Sequence, residues 1–287
     1  MQQRSLGGTH VSAIGLGGMP MSIEGRPDEE RSIRTIHAAL EAGVTLIDTA
    51  DAYHRDANEV GHNETLIAKA LASYGSDATG ILVATKGGHL RPGDGSWTQN
   101  GHPDYLKEAA KASLKRLGGD AIDLYQYHRP DTEVPYEDSI GALKDLLDEG
   151  VIRMAGISNA TVDQIRKANQ VLDGRLVSVQ NQFSPAFRSS EDELRYCGEN
   201  GIAFLPWSPL GGIQKAGGLG EHFTAFQQIA DKHGVSPQQV CLAWELALAP
   251  TVIPIPGASR PESIQDSAQA SDLQLSADEI EILSTAD

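Results

Sequence analysis

The chain has 287 residues, and 23 Lys and Arg against 39 Asp and Glu leave a formal net charge of -16 at pH 7. That excess of negative charge argues against phosphate backbones and anionic membrane surfaces, both of which attract cations, so no nucleic acid and no membrane are expected as partners. Cys197 and Cys241 have neither metal-ligand nor disulfide-framework spacing, no basic start leads into an apolar run, and no stretch approaches about 18 apolar residues, which together predict a cytoplasmic protein with no metal.

Along the chain, residues 3–11 place Gly7 and Gly8 between two short extended pieces and predict a β-hairpin plugging one end of whatever follows. Eight units of a short apolar run and an amphipathic helix come next. A run at 13–16 precedes a helix over 28–42, with Ile33, Ile36 and Leu40 on one face. Runs at 45–48, 81–86 and 122–128 precede helices at 63–72, 103–117 and 135–149. The run at 152–157 leads to a helix at 161–171, with Thr161 as its N-cap, and 176–181 leads to 190–200, closed by Gly201. A run at 202–207 is followed by a glycine-rich loop and helices at 223–232 and 236–248; 252–255 leads to 260–268, and 277–284 adds a last helix. Eight repeats fit a closed (β/α)8 TIM barrel better than an open doubly wound sheet of five or six strands, and barrels of about 250 residues are commonly one domain. The expectation is a single α/β domain over 1–287, with an N-terminal β-hairpin and extra C-terminal helices.

Barrel active sites lie at the C-terminal ends of the strands. There this sequence puts Asp48, Lys86 and His128 at the ends of the second, third and fourth runs, with Tyr53 in the loop after the second. One reading is a structural Asp48–Lys86 ion pair in the barrel mouth with Tyr53 and His128 as rim residues. The other is catalytic: an ammonium lowers the phenol pKa, a carboxylate holds the ammonium, an imidazole orients a carbonyl, and tyrosine serves as general acid.

The segments IDTADAY at 47–53, VATKGG at 83–88 and DLYQYHRPD at 123–131 resemble the Asp/Tyr, Lys and His segments of the aldo-keto reductase family. GISNAT at 156–161, SVQNQFSP at 178–185 and PWSPLGG at 206–212 follow in that family's order. The resemblance covers nearly the whole chain, and the PWSPLGG segment and the 287-residue length look like the small bacterial members that include pyridoxal reductases. It implies NADPH-dependent reduction of aldehydes, and also ketones, to alcohols by hydride transfer. In the implied tetrad Tyr53 gives the proton, Lys86 and Asp48 tune it, and His128 positions the carbonyl of a small-molecule substrate. It also implies that Ser158, Asn159 and Gln180 clasp the nicotinamide carboxamide and that Trp207 stacks on the ring. Ser208, Leu210 and Gly212 would then contact the pyrophosphate, and Gly257, Ser259 and Arg260 the adenosine 2′-phosphate. Ser263 stands where many members carry arginine and Asp266-Ser267 replaces a frequent Glu-Asn pair, so NAD remains the other cofactor candidate beside NADP.

The loop at 54–63 is longer than the family's usual link and is expected to close one side of the pocket, with Trp97, Phe183 and Phe187 as further walls. The G-x-G-G run at 15–18 lacks the third glycine and following helix of a dinucleotide-binding turn and reads as a strand end. Two alternatives stay open: a nicotinamide-binding, redox-sensing regulatory subunit resembling the potassium-channel β-subunits, and a barrel lyase or isomerase using Lys86 as a Schiff base.

Overall fold

Alternation of short apolar runs with amphipathic segments buries a parallel sheet beneath helices. The computed structural model describes residues 1–286, the side chains of 76 and 77 apart. Strands β1 (Gln3–Leu6) and β2 (Thr9–Ser12) form the expected antiparallel hairpin, with Gly7 at φ 57° and Gly8 at φ 84°, the conformation a two-residue turn of this hand requires. Leu6 and Val11 are buried against Leu46, Leu82, Leu124 and Ile253, so the hairpin seals the barrel floor.

Seven strands form the parallel sheet in the order β3 (Leu16–Gly17), β4 (Leu46–Asp48), β5 (Leu82–Gly87), β8 (Ile122–Tyr127), β9 (Ile152–Ser158), β10 (Leu176–Gln180) and β11 (Ala203–Phe204). Between β5 and β8 the chain makes a small excursion, β6 (His89–Leu90) paired with β7 (Thr98–Gln99). The expected eighth strand at 252–255 appears as a seam. Ile253 and Ile255 donate to the carbonyls of Phe204 and Pro206 at 2.8 and 3.2 Å, while the carbonyls of Pro254 and Pro256 accept from Gly15 and Gly17, both at 2.9 Å. Successive residues of a strand address opposite neighbours, so both prolines place their missing N–H on the β3 side. Half of that ladder cannot form, and bridges Phe204↔Val252 and Gly17↔Gly257 replace a regular strand. The seam closes a (β/α)8 barrel.

Helices α1 (Glu29–Glu41), α2 (His62–Tyr74), α3 (Pro103–Leu117), α4 (Tyr136–Asp148), α5 (Val162–Val171) and α6 (Glu191–Asn200) follow the first six barrel strands. Their ends obey local chemistry: Asp28 accepts from the Arg31 amide, Thr161 and Gln164 form a capping box, and Gly201 at φ 68° terminates α6. After β11 come α7 (Leu219–His222), α8 (Thr224–His233), α9 (Pro237–Leu248), α10 (Pro261–Gln269) and α11 (Ala277–Thr285). The four-residue α7 lies where a continuous glycine-rich loop is expected; Leu219 is buried in the main core and anchors it. Among the described residues no helix is long and apolar enough to cross a membrane.

Candidate active site

Four inward-facing polar side chains converge at the C-terminal ends of β4, β5 and β8. Lys86, fully buried, donates from Nζ to Asp48 Oδ1 at 2.6 Å, to the Thr49 carbonyl at 2.8 Å and to Tyr53 Oη at 3.1 Å. Burial lowers the proton affinity of this ammonium, but the charge and hydrogen bonds of Asp48 and Tyr53 outweigh it and hold Lys86 above the usual lysine value. The other Asp48 oxygen accepts from Gln180 Nε2 at 2.8 Å and Gln126 Nε2 at 3.4 Å, so the carboxylate is held from three strands besides its own.

At Tyr53 burial outweighs the lowering expected from Lys86. Burial pushes its phenol up, the Lys86 charge pulls it down, Asp48 pushes it up again, and the net value lies above the usual tyrosine range. The hydroxyl is therefore a neutral donor through the physiological range, and lysine limits rather than reverses the rise. His128 meets the Tyr53 ring edge-on, with centroids 5.7 Å apart. Its burial, then the Lys86 charge, depress its pKa well below the usual histidine value, so the imidazole is neutral. Nδ1 of His128 is buried without a partner among the described residues.

A cavity of about 620 Å³ opens over this cluster; Asp48, Tyr53 and His128 lie on its floor and Lys86 behind them. Ser158, Asn159, Gln180, Trp207, Ser208 and Leu210 line its walls, joined by Gly212 and Gly257. Asn159, at φ 56°, turns its amide back to donate to the His128 carbonyl at 3.0 Å and to accept from Trp207 Nε1 at 3.3 Å, which ties the indole to the end of β9. Ser158 Oγ donates to the Gln180 carbonyl at 2.7 Å. At Gly212, φ 100°, an added Cβ would point into open space, so the loop presents bare backbone to the cavity. Ser259 and Arg260 are not brought into the cavity wall; Arg260 is exposed at the residue preceding α10, three residues beyond Gly257.

The aldo/keto reductase family model matches residues 13–287. The chain belongs to the aldo/keto reductase family. An uncharacterized oxidoreductase of Schizosaccharomyces pombe is 36% identical over 272 residues, spanning 93% of this chain and 84% of that protein. A thermostable aldo-keto reductase solved with the inhibitor epalrestat superposes with a TM-score of 0.82 at 28% identity, over 99% of this chain and 98% of its own. An aldo/keto reductase from Klebsiella pneumoniae, solved with NADP and acetate, gives a TM-score of 0.79 at 25% identity, over 98% and 93% of the two chains. This aldo/keto reductase chain is accordingly an oxidoreductase of the carbonyl-reducing kind.

Several pocket walls differ from expectation. Phe183 is fully buried and stacked on Trp244 in the core, and Phe187 lies on the surface; neither lines the cavity. The 54–63 loop is drawn away from it: the His54 carbonyl accepts from Arg91, Glu59 pairs with Arg26 at 2.9 Å, and His62 Nδ1 meets Ser22 Oγ at 2.8 Å. Trp97 does form a wall, stacked on His89 at 4.7 Å, and His89 in turn meets His128 edge-on at 4.9 Å. Gln126, His89, Arg129 and Glu24 are among the contributors that sequence reasoning missed. Gln126 carried a signal, since it lies two residues before His128 and a polar residue at that spacing faces the same side of a strand. His89 depends on the β6–β7 excursion, which short-range pattern does not reveal.

Proposed function

We propose that this chain reduces aldehydes, and also ketones, to alcohols with NADPH, Tyr53 acting as the general acid. The observation that carries the reading is the Lys86 ammonium hydrogen-bonded to both Asp48 and the Tyr53 hydroxyl, beneath a cavity bounded by His128 and Trp207. The cavity residues fit a nicotinamide dinucleotide. Ser158, Asn159 and Gln180 offer amide and hydroxyl groups to a carboxamide, Trp207 a flat face, the 208–212 segment open backbone to phosphates, and Gly257 a wall without a side chain leading towards Ser259 and Arg260. Bound there, the reduced cofactor supplies a hydride to the carbonyl carbon.

The protein's own groups handle the oxygen. The Tyr53 hydroxyl donates its proton to the carbonyl oxygen as that oxygen gains charge, and the phenolate left behind sits 3.1 Å from an ammonium. Lys86 is the element that makes the phenolate affordable, and Asp48 keeps it charged and aimed. His128, neutral and short of one partner, supplies a polar contact that orients the carbonyl without competing as a proton source. An ammonium donating to three acceptors has no lone pair for a carbonyl carbon, which disfavours Schiff-base chemistry at Lys86.

Cofactor choice rests on the far end. Asp266 accepts from Ser236 Oγ at 2.7 Å and from Gln239 Nε2 at 2.6 Å, so its carboxylate is committed to α9. Arg260 is left as the fork for a 2′-phosphate, and NADPH is favoured over NADH. The test is NADPH and NADH oxidation over an aldehyde panel by wild type and Tyr53→Phe. Tyr53→Phe is expected to keep cofactor binding, read by fluorescence titration, and to lose at least about 100-fold in kcat. Near-normal turnover in the mutant would remove Tyr53 from the acid role.

A further inference from the structure

Three charged side chains line the cavity: Glu24, Asp48 and Arg129. Two are neutralised. Asp48 is paired with Lys86 at 2.6 Å, and Glu24 is paired with Arg91, whose other nitrogen donates to the His54 carbonyl. Arg129 is not paired. It follows His128 directly, is half-buried, and among the described residues has neither an ion pair nor a hydrogen bond. The carboxylate nearest in sequence, Asp131, is committed to the backbone amides of Gly101 at 2.8 Å and Glu133 at 2.9 Å. Nor do the neighbouring imidazoles compensate or add charge: burial, then the Arg129 charge, depress His89 to about 4, and His128 is neutral as described.

A half-buried guanidinium without an acceptor has lost part of its hydration and recovered nothing in exchange. Among the described residues it is the one charged side chain in the cavity wall without a counter-charge. We infer that Arg129 is a specificity-determining residue that receives an anionic group, a carboxylate or phosphate, carried by the carbonyl substrate. The inference rests on the proposed carbonyl reduction at the same site and names its substrate class. His128 and Arg129 both line the cavity, so they address two points of one small molecule, the carbonyl at the first and the anion at the second. The guanidinium fork suits two carboxylate oxygens, and the His89–Trp97 stack gives the intervening carbons an aromatic wall.

The experiment compares 4-oxobutanoate with its methyl ester, a pair of similar shape that differs in charge. Wild type is expected to favour the acid in kcat/KM, and Arg129→Gln to reduce the acid-to-ester ratio by about tenfold or more, as loss of a charged hydrogen-bonding partner predicts. Arg129→Lys should retain part of the ratio, which a merely structural role would not produce. A ratio unchanged in Arg129→Gln overturns the inference. So does an increase in KM for NADPH as large as that for the acid, because Arg129 would then serve the cofactor's phosphates.

Binding is read separately by titrating the free enzyme with succinate, which has no reducible carbonyl, and following the fluorescence of Trp97 and Trp207 in the cavity wall. Succinate binding in wild type that is lost in Arg129→Gln supports the anion site even if no aldehyde turns over, in which case the proposed reduction alone fails. Absence of succinate binding in wild type, alongside turnover of the ester and acid at equal rates, overturns the anion site while leaving the reductase. Where Arg129→Gln does not fold, wild type decides: no preference for the acid over the ester, together with no succinate binding, overturns the inference, and preference with binding supports it.

Discussion

Lys86 carries two roles that chemistry usually separates, because it is both a buried charge and the donor to a reactive hydroxyl. Its ion pair with Asp48 is inaccessible to water, and such pairs contribute little net stability while making the loss of either partner expensive. Lys86→Met is expected to cost about 3–5 kcal/mol in urea unfolding, because Asp48 keeps two amide donors but loses its counter-charge. Adding Asp48→Asn should recover much of that loss. A single mutant as stable as wild type would show that Asp48 takes up a proton at low cost. At this scale the sequence was informative: Asp48, Tyr53, Lys86 and His128 stood out as polar side chains at strand ends. The direction of the Tyr53 shift was not legible, since it depends on how completely the phenol is enclosed.

Helix α9 is buried over most of its length: Val240, Cys241, Leu242, Ala243, Trp244 and Leu246 are all buried, and so is Glu245. Among the described residues neither carboxyl oxygen of Glu245 has a partner, and burial raises its pKa well above the usual glutamate value. The folded chain thus holds a proton that the unfolded chain releases above about pH 4.5, so this group's effect on stability worsens as pH rises through the folded value. Glu245→Met is expected to stabilise the protein by about 1–3 kcal/mol near pH 5. The gain should be larger near pH 8, as measured by denaturant midpoints at the two pH values. Equal gains at both would assign the effect to packing alone. Elements were largely readable beforehand, because caps such as Asp28, Thr161 and Gly201 act within a few residues of themselves. The exceptions were the β6–β7 excursion, α7, whose single buried Leu219 is too little periodicity to detect, and the expected strand at 252–255, which its prolines reduce to bridges.

For the whole molecule, closure passes through a narrow seam. A Cβ on Gly17 would lie 2.8 Å from the Ile255 carbonyl and 3.2 Å from the Gly257 backbone, so the first strand and the proline segment approach only because no side chain intervenes. Gly17→Ala is expected to cost about 1–3 kcal/mol in thermal or urea unfolding, since the obstruction is backbone that cannot swing aside. It should also lower affinity for the cofactor, because Gly17, Ile255 and Gly257 line the cavity. An unperturbed melting temperature would mean the seam flexes freely. Period-2 and period-3.6 patterns, helix caps and strand-end polar residues are local, and they were enough to announce a barrel, its order of elements and the four residues of the central cluster. Which side chains meet is a different matter. Asp48 contacts Lys86 38 positions away and Gln180 132 positions away, and Phe183 enters the core instead of the pocket, because those distances follow from how the sheet curls and closes. The unpaired state of Arg129 likewise emerges only when every nearby carboxylate has found its partner in three dimensions, something no spacing along the chain encodes.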